Sequence, residues 1–265
     1  MGTEEDITET ERVSQAKTDF VSTASHQLRT PLSIMRWYSE LLLGGEGGKP
    51  SKKQSEYLNE ILQGARRMAD LIDALLTVSR IELGTFSVEL KDTDVSALAA
   101  SVKGDFVPII AAKKLILTER YAEGLPHMRT DSRLLHAIYY NLLSNAVKYS
   151  HEGGTITIDI HAVEAGDEVS GKIVPEKSLV CSVSDTGYGI PEFQKMLIFT
   201  KFFRADNARI NVPDGTGLGL YIVKSLVEYM KGMIWFESTE NKGTTFYVVL
   251  PLAGTLAKEG ATRLS

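Results

Sequence analysis

Two long amphipathic stretches joined by a glycine-rich linker limit what this chain can fold into. From about Ile7 to Leu43, the residues Val13, Phe20, Ala24, Leu28, Leu32, Met35 and Leu42 fall at helical spacing, so one face of a helix is apolar. Gly44-Gly45-Glu46-Gly47-Gly48-Lys49-Pro50 stops that helix, because glycine and proline continue one only at a cost. Ser51 can cap a second helix running to about Leu83. Its apolar positions are Tyr57, Leu58, Ile61, Leu62, Ala65, Met68, Leu71, Ile72, Leu75, Leu76 and Val78. The pair makes an antiparallel hairpin. A hairpin cannot bury stripes this long by itself, whereas two hairpins can as a four-helix bundle. The expectation is a homodimer; the alternative is a hairpin packed on its own second domain.

Within the first helix, Phe20, Ala24, Leu28 and Leu32 recur every four residues and are expected to point inward. His26 lies off that stripe, on an exposed flank, where an imidazole can act as nucleophile or ligand or simply be solvated. Pro31 removes a helical N–H and predicts a kink.

The remainder reads as mixed α/β. Gly84 ends the second helix, and Phe86–Leu90 alternates like a strand. A helix follows over Val95–Lys113, with Pro108 as a kink or break, then a strand at Leu115–Thr118. Asp131 caps a strongly periodic helix carrying Leu134, Leu135, Ile138, Leu142, Leu143, Ala146 and Val147. Strands are predicted at Thr155–Val163, Leu179–Ser184, Met233–Glu237 and Thr245–Leu250. Glu164–Ser178 reads as a polar segment, Ile190–Ala208 as short helical pieces, and Leu218–Met230 as a helix. The fold class is therefore multidomain: a helical hairpin, then an α/β sandwich with helices on one face of a largely antiparallel sheet. The divisions are 1–19 as a linker helix, 20–84 as the hairpin, 85–252 as the second domain and 253–265 as a loose tail.

Composition excludes several classes. The 265 residues carry a net charge of -5, so there is no basic footprint for nucleic acid. Cys181 is the single cysteine; it permits no internal disulfide, sits in an apolar run and reads as a small buried hydrophobe in a reducing, intracellular setting. No run of 18 apolar residues exists, so no membrane span is expected. The acidic start, Met1-Gly2-Thr3-Glu4-Glu5-Asp6, is unlike a signal peptide and a poor myristoylation site.

Four local patterns carry chemistry. In Asn141-Leu142-Leu143-Ser144-Asn145-Ala146-Val147-Lys148-Tyr149 the two asparagines are four apart, on one helix face. Amide oxygens suit a hard cation such as Mg²⁺, although two solvated asparagines would look the same. Asp185-Thr186-Gly187-Tyr188-Gly189-Ile190-Pro191 follows a strand; its carboxylate can accept from an exocyclic amine and its glycines let backbone approach a flat ring. Gly215-Thr216-Gly217-Leu218-Gly219-Leu220 opens a helix and forms a nest of N–H donors for phosphate. It lacks the Gly-Lys-Ser/Thr of a Walker loop and the βαβ context of a dinucleotide fold. Lys242-Gly243-Thr244-Thr245-Phe246 is a polar turn into a strand, and Phe199-Thr200-Lys201-Phe202-Phe203-Arg204 adds an aromatic cluster ending in a cation.

Taken in this order, the motifs resemble a sensor histidine kinase of two-component signalling. The stretch around His26 is similar to the H-box, Asn141–Tyr149 to the N-box, Asp185–Gly189 to the G1 box, Phe199–Arg204 to the F-box and Gly215–Gly219 to the G2 box. The likeness covers about Phe20 to Leu252. It implies a dimerisation and phosphotransfer hairpin followed by a Bergerat-type ATP-binding domain, with ATP and Mg²⁺ bound. By resemblance, Asp185 takes the adenine amino group within the turn Gly187, Gly189, Ile190. Tyr149 stacks near adenine and Lys148 reaches the phosphates. Asn145 holds Mg²⁺ with Asn141 beside it. Gly215, Thr216, Gly217, Leu218 and Gly219 shape the lid, Thr244 lines the site and Arg204 approaches the γ-phosphate. His26 receives the phosphoryl group and passes it to an aspartate of a response regulator receiver domain.

Two positions bear on activity. The family usually has Asp or Glu after the phosphoacceptor, where this chain has Gln27, which can hold an imidazole by hydrogen bond but cannot act as a base. Thr30 matches the position linked to phosphatase action on the regulator. Asp6-Ile7-Thr8-Glu9 resembles the segment that closes a PAS sensor domain, so the chain reads as the cytoplasmic core of a longer sensor, soluble or membrane-anchored; the alternative is an ordinary helix start. Competing functions are a Bergerat ATPase clamp, which uses a glutamate where Asn141 stands, and an ATP-binding pseudokinase or adaptor, for which Gln27 is the only support.

Overall fold

The computed structural model of the chain describes residues 23–24, 27–82, 88–212 and 215–253. They fall in two compact units that meet between Phe86 and Ser87. The expected helix start before residue 23, the expected strand residues 86 and 87 and the tail from 254 lie outside the described residues.

In the first unit, helix α1 covers 27–43 and helix α2 covers Lys52–Glu82. Helical geometry continues through Pro31. Ser51 starts α2 with a reciprocal cap: its Oγ accepts the Gln54 N–H at 3.3 Å, and its own N–H donates to Gln54 Oε1 at 2.8 Å. This satisfies two donors that a helix start leaves unpaired. Leu32, Leu62, Ala65, Leu76 and Val78 are buried. Surface pairs Arg29–Asp73 at 2.5 Å and Arg66–Glu40 at 3.0 Å cross between the two helices; pairs this exposed contribute at most about 1 kcal/mol each.

Leu28 corrects one expectation. It is 52% exposed rather than inward. Met35 and Leu42 follow it at seven-residue steps and are 46% and 44% exposed, while Ile61, Met68 and Leu75 repeat the step on α2 at 51%, 48% and 47%. The hairpin therefore has a second apolar seam, with the heptad spacing of a coiled-coil face, that one chain leaves uncovered.

The second unit centres on a five-stranded sheet, β2 (Ile116–Tyr121), β4 (Thr155–Val163), β7 (Ser178–Asp185), β9 (Gly243–Pro251) and β8 (Met233–Thr239), in the order β2-β4-β7-β9-β8. The β2–β4 pair is parallel, because the chain crosses over through helix α4 (Ser132–Tyr149) between them; the other three pairs are antiparallel. Ile156, Ile158 and Ile160 alternate into the core, as period two requires. Helices α3 (Val95–Ala112), α4 (Ser132–Tyr149) and α6 (Gly219–Tyr229) pack together on that face. All seven apolar α4 positions named above are buried. Asp131 caps α4 through Oδ1 on the Arg133 N–H at 2.9 Å.

The structure differs from the sequence expectation in three places. The strand expected at Phe86–Leu90 stands instead at β1 (Lys91–Thr93), antiparallel to β3 (Met128–Thr130). The reason is local: the Glu89 N–H is taken by Asp131 Oδ2 at 3.0 Å and has no strand partner. Pro108 does not break α3. The polar segment holds a small hairpin, β5 (Glu168–Val169) and β6 (Lys172–Ile173), whose Val169 joins Val174, Val180 and Val249 beside Trp235 and Tyr247 on the second sheet face. Among the described residues α3 alone is long and apolar enough to cross a membrane, yet Val95, Ala99, Val102 and Phe106 are buried in this domain. A short 3₁₀ helix (Glu192–Leu197) and α5 (Asp206–Asn211) link β7 to α6.

Candidate nucleotide site

The spine of the site is the C-terminal half of α4. Asn141, Asn145, Lys148 and Tyr149 lie along its half-buried side, opposite the stripe that seals it to the sheet. Two loops close against this spine.

The first loop leaves β7 at Asp185. That carboxylate is 8% exposed; its Oδ1 accepts the Gly187 N–H at 2.9 Å, and the Thr244 N–H also donates to it. Burial pushes its pKa up to about 6, against the opposing pull of those two N–H groups. Gly187 must be glycine, since a Cβ there would stand 2.1 Å from the Tyr149 carbonyl oxygen and 2.8 Å from Asp185 Oδ1. A β-bridge between Ser150 and Gly187, and a 3.2 Å bond from the Tyr188 N–H to the Tyr149 carbonyl, fasten the turn to the end of α4. Further on, the Ile190 N–H donates to Ser238 Oγ at 2.9 Å, and Ser238 Oγ meets Thr244 Oγ1 at 2.8 Å.

The second loop runs from Arg204 into α6. A Cβ on Gly215 would stand 3.2 Å from Lys148 Nζ and 3.2 Å from Arg204 Nε, so two cations converge on one backbone position. Arg204 also donates to the carbonyls of Ala208 at 3.1 Å and of Val212, which hold its guanidinium in place. Gly217, with φ +71°, packs so tightly on Phe202 that a Cβ would lie 2.6 Å from its carbonyl carbon. Thr216 Oγ1 accepts the Leu218 N–H at 3.2 Å. Asn141 donates to the Ala137 carbonyl at 2.8 Å, and its Oδ1 would stand 2.8 Å from a Cβ on Gly219. The α6 N-terminus, the positive end of the helix dipole, thus abuts the asparagine face. Phe199 packs edge-on to Phe236 and Phe246, anchoring this loop to the sheet.

An adenine nucleotide fits this arrangement: a buried acceptor and close-approach glycine at one end, two cations and a helix N-terminus at the other. Among the described residues no group of three or more His, Cys, Asp or Glu could hold a metal. A divalent ion here would rest on Asn145, phosphate and water, a ligand set that Mg²⁺ accepts. His26 lies outside the described residues; Gln27 and Thr30 are exposed on α1. Sequence reasoning missed two side chains. Asn207 donates to the carbonyls of Tyr188 and Gly189 at 3.3 and 3.0 Å, and Lys113 reaches the end of α4. Neither has a local signature, because each acts on a segment distant in sequence.

Sheet, helices and site together define an ATP-binding module of the Bergerat type. Two family models match the chain: Histidine kinase-, DNA gyrase B-, and HSP90-like ATPase over residues 130–254, and His Kinase A (phospho-acceptor) domain over 16–84. The chain belongs to the sensor histidine kinases of two-component signalling. It is 33% identical over 254 residues to the sensor histidine kinase WalK of Bacillus subtilis, covering 93% of this chain and 38% of WalK. It is 34% identical over 238 residues to the circadian input-output histidine kinase CikA of Synechococcus elongatus, covering 89% of this chain and 30% of CikA. The crystal structure of full-length ShkA in complex with AMPPNP superposes with TM-score 0.70 at 25% identity, over 90% of this chain and 46% of that one. The chain thus spans less than half the length of the curated relatives it matches.

Proposed function

We propose that this chain is an ATP-dependent protein-histidine kinase that phosphorylates its own His26 and passes the phosphoryl group to an aspartate of a response regulator. The observation that carries this reading is the convergence of Lys148 and Arg204 on Gly215, on the same helix end that fixes the Asp185–Gly187 turn. Adenine and γ-phosphate recognition are thereby set by one rigid element. In the reaction a ring nitrogen of His26 forms a bond to the γ-phosphorus in line with the breaking bond to the β,γ-bridging oxygen; ADP departs and the imidazole loses its proton. Lys148 and Arg204 neutralise charge on the transferring group. Asn145, beside Asn141, would hold Mg²⁺, which would supply positive charge against the triphosphate.

The working assembly in this reading is a homodimer. The exposed seam Leu28, Met35, Leu42 with Ile61, Met68, Leu75 is what a second hairpin would cover in a four-helix bundle. Residues 20–84 form the phosphoacceptor domain and 85–252 the catalytic domain, with 1–19 as linker and 253–265 as tail. Thr30 serves a phosphatase activity on the regulator, and an upstream PAS-like sensor supplies the signal. Family membership supports a cytoplasmic setting.

The ATPase-clamp reading is disfavoured by one contact. Asn141 stands where a clamp has its glutamate, and its amide is tied to the Ala137 carbonyl, so no base is available there for water. The test is incubation with γ-labelled ATP and Mg²⁺. The reading expects acid-labile, base-stable label on the chain that disappears in His26→Gln. Free phosphate without labelled protein would establish the clamp, and absence of turnover the adaptor.

A further inference from the structure

Lys113 follows α3 and points across to the end of α4. Its Nζ lies 2.8 Å from the Val147 carbonyl, 3.1 Å from that of Lys148 and 2.9 Å from that of Ser150. The last carbonyls of a helix have no partner one turn ahead. An ammonium has three N–H donors, and here all three are used. The remaining carbonyl of this run, Tyr149, takes the Tyr188 N–H at 3.2 Å, and the Lys113 carbonyl itself accepts the Gly153 N–H at 2.9 Å. Every backbone carbonyl from Val147 to Ser150 is thus assigned, three of them to one side chain.

This segment is the frame of the nucleotide site. Lys148 and Tyr149 project from it, Ser150 bridges to Gly187, and the Tyr149 carbonyl sets how close Gly187 can come. A cation at a helix C-terminus also offsets the negative end of the helix dipole. We infer that Lys113 is a positioning residue for adenine recognition: it fixes the α4 end against which the Asp185–Gly187 turn is registered. The inference rests on the ATP reading above. Partial burial lowers the Lys113 pKa, as expected of an ammonium drawn from water onto carbonyls. Arginine cannot replace it, because a planar fork does not meet three carbonyls converging on one point.

The experiment compares wild type with Lys113→Met by equilibrium binding of ATP and of purine riboside triphosphate, which lacks the 6-amino group that Asp185 would accept. Wild type is expected to prefer ATP. K113M is expected to lose about 10-fold in ATP affinity, the scale of losing one charged hydrogen-bond anchor. The analogue should lose far less, so discrimination collapses. Lys113→Arg gives the same readout if K113M does not fold. Aminoethylation of Lys113→Cys with 2-bromoethylamine rebuilds a lysine-like ammonium and should restore discrimination. Cys181 does not interfere, being buried with its thiol pushed up to about 12. A lower melting temperature with an unchanged ATP-to-analogue ratio overturns the inference and leaves Lys113 merely structural. Wild type that binds no ATP overturns the ATP reading itself, a separate outcome.

Discussion

The Tyr149 carbonyl oxygen would lie 2.1 Å from a Cβ on residue 187, so the last turn of α4 and the turn after β7 touch through backbone alone. Both neighbours are fixed, the first by Lys113 and the second by Asp185 Oδ1 on the Gly187 N–H. Gly187→Ala therefore cannot be absorbed by rotating a side chain. We expect ATP affinity to fall by about 100-fold or more, the scale of roughly ångström misplacement in a site, with thermal stability falling as well. Titration with a fluorescent ATP analogue and a melting curve measure both. Near wild-type affinity would mean that the turn is not registered on Tyr149.

Asp185 makes the site pH-sensitive, and the sign follows from its raised pKa. An aspartate with a pKa near 3.8 unfolded and about 6 folded holds its proton more tightly when folded. Stability from this group is therefore lost as pH rises from about 4 to about 6, by roughly 3 kcal/mol at most, and is flat above that. Binding runs the other way, since the adenine amino group needs an ionised acceptor. We expect ATP affinity to fall as pH drops below 6, while Asp185→Asn melts higher than wild type at pH 7 yet binds ATP poorly. Melting curves and titrations across pH 5 to 8 check this. An Asn variant that melts lower than wild type at pH 7 would contradict it.

Much of this was legible along the chain. The Gly44–Pro50 linker announced the hairpin, the α4 stripe its buried face, and Asp131 its cap, because each is a local signal. The β1–β3 ladder was not legible: three residues per strand show no period, and Glu89 is diverted to Asp131. The β5–β6 hairpin had a signal in Ser170-Gly171 between short alternating runs, but it lay in a segment dominated by polar residues. Leu28 is half-exposed because its side of α1 carries the seam that α2 leaves open, and a four-residue step alone does not say which apolar side a helix buries. Lys113 and Asn207 could not be found, since a lysine spanning 34 residues to its partner leaves no pattern near itself.

The seam on the hairpin predicts oligomeric state. Ile61 and Leu75 are half-exposed at positions two heptads apart, and burying such a side chain fully is worth about 1.5–3 kcal/mol. Replacing both with Glu should dissociate the homodimer while leaving the second domain folded, because neither residue belongs to it. Sedimentation measures the mass, and ATP titration checks the second domain. A variant that remains dimeric would place the dimer contact elsewhere.

Gln27 lies one residue beyond the proposed phosphoacceptor, where the family resemblance implies Asp or Glu. A glutamine can orient the His26 imidazole by hydrogen bond, but it cannot take up the proton released as the phosphorus–nitrogen bond forms. A carboxylate at that position can do both, and it stabilises the imidazolium that develops. Positioned general bases contribute about 100- to 10,000-fold, but neutral imidazole is already nucleophilic near pH 7, so the gain should sit at or below the lower end of that range. We expect Gln27→Glu to phosphorylate His26 faster, with ATP affinity unchanged because residue 27 is on the hairpin and not in the nucleotide site. Quench-flow timing of phosphohistidine at saturating ATP isolates the step. An unchanged or slower rate would show that orientation, not proton transfer, limits this kinase.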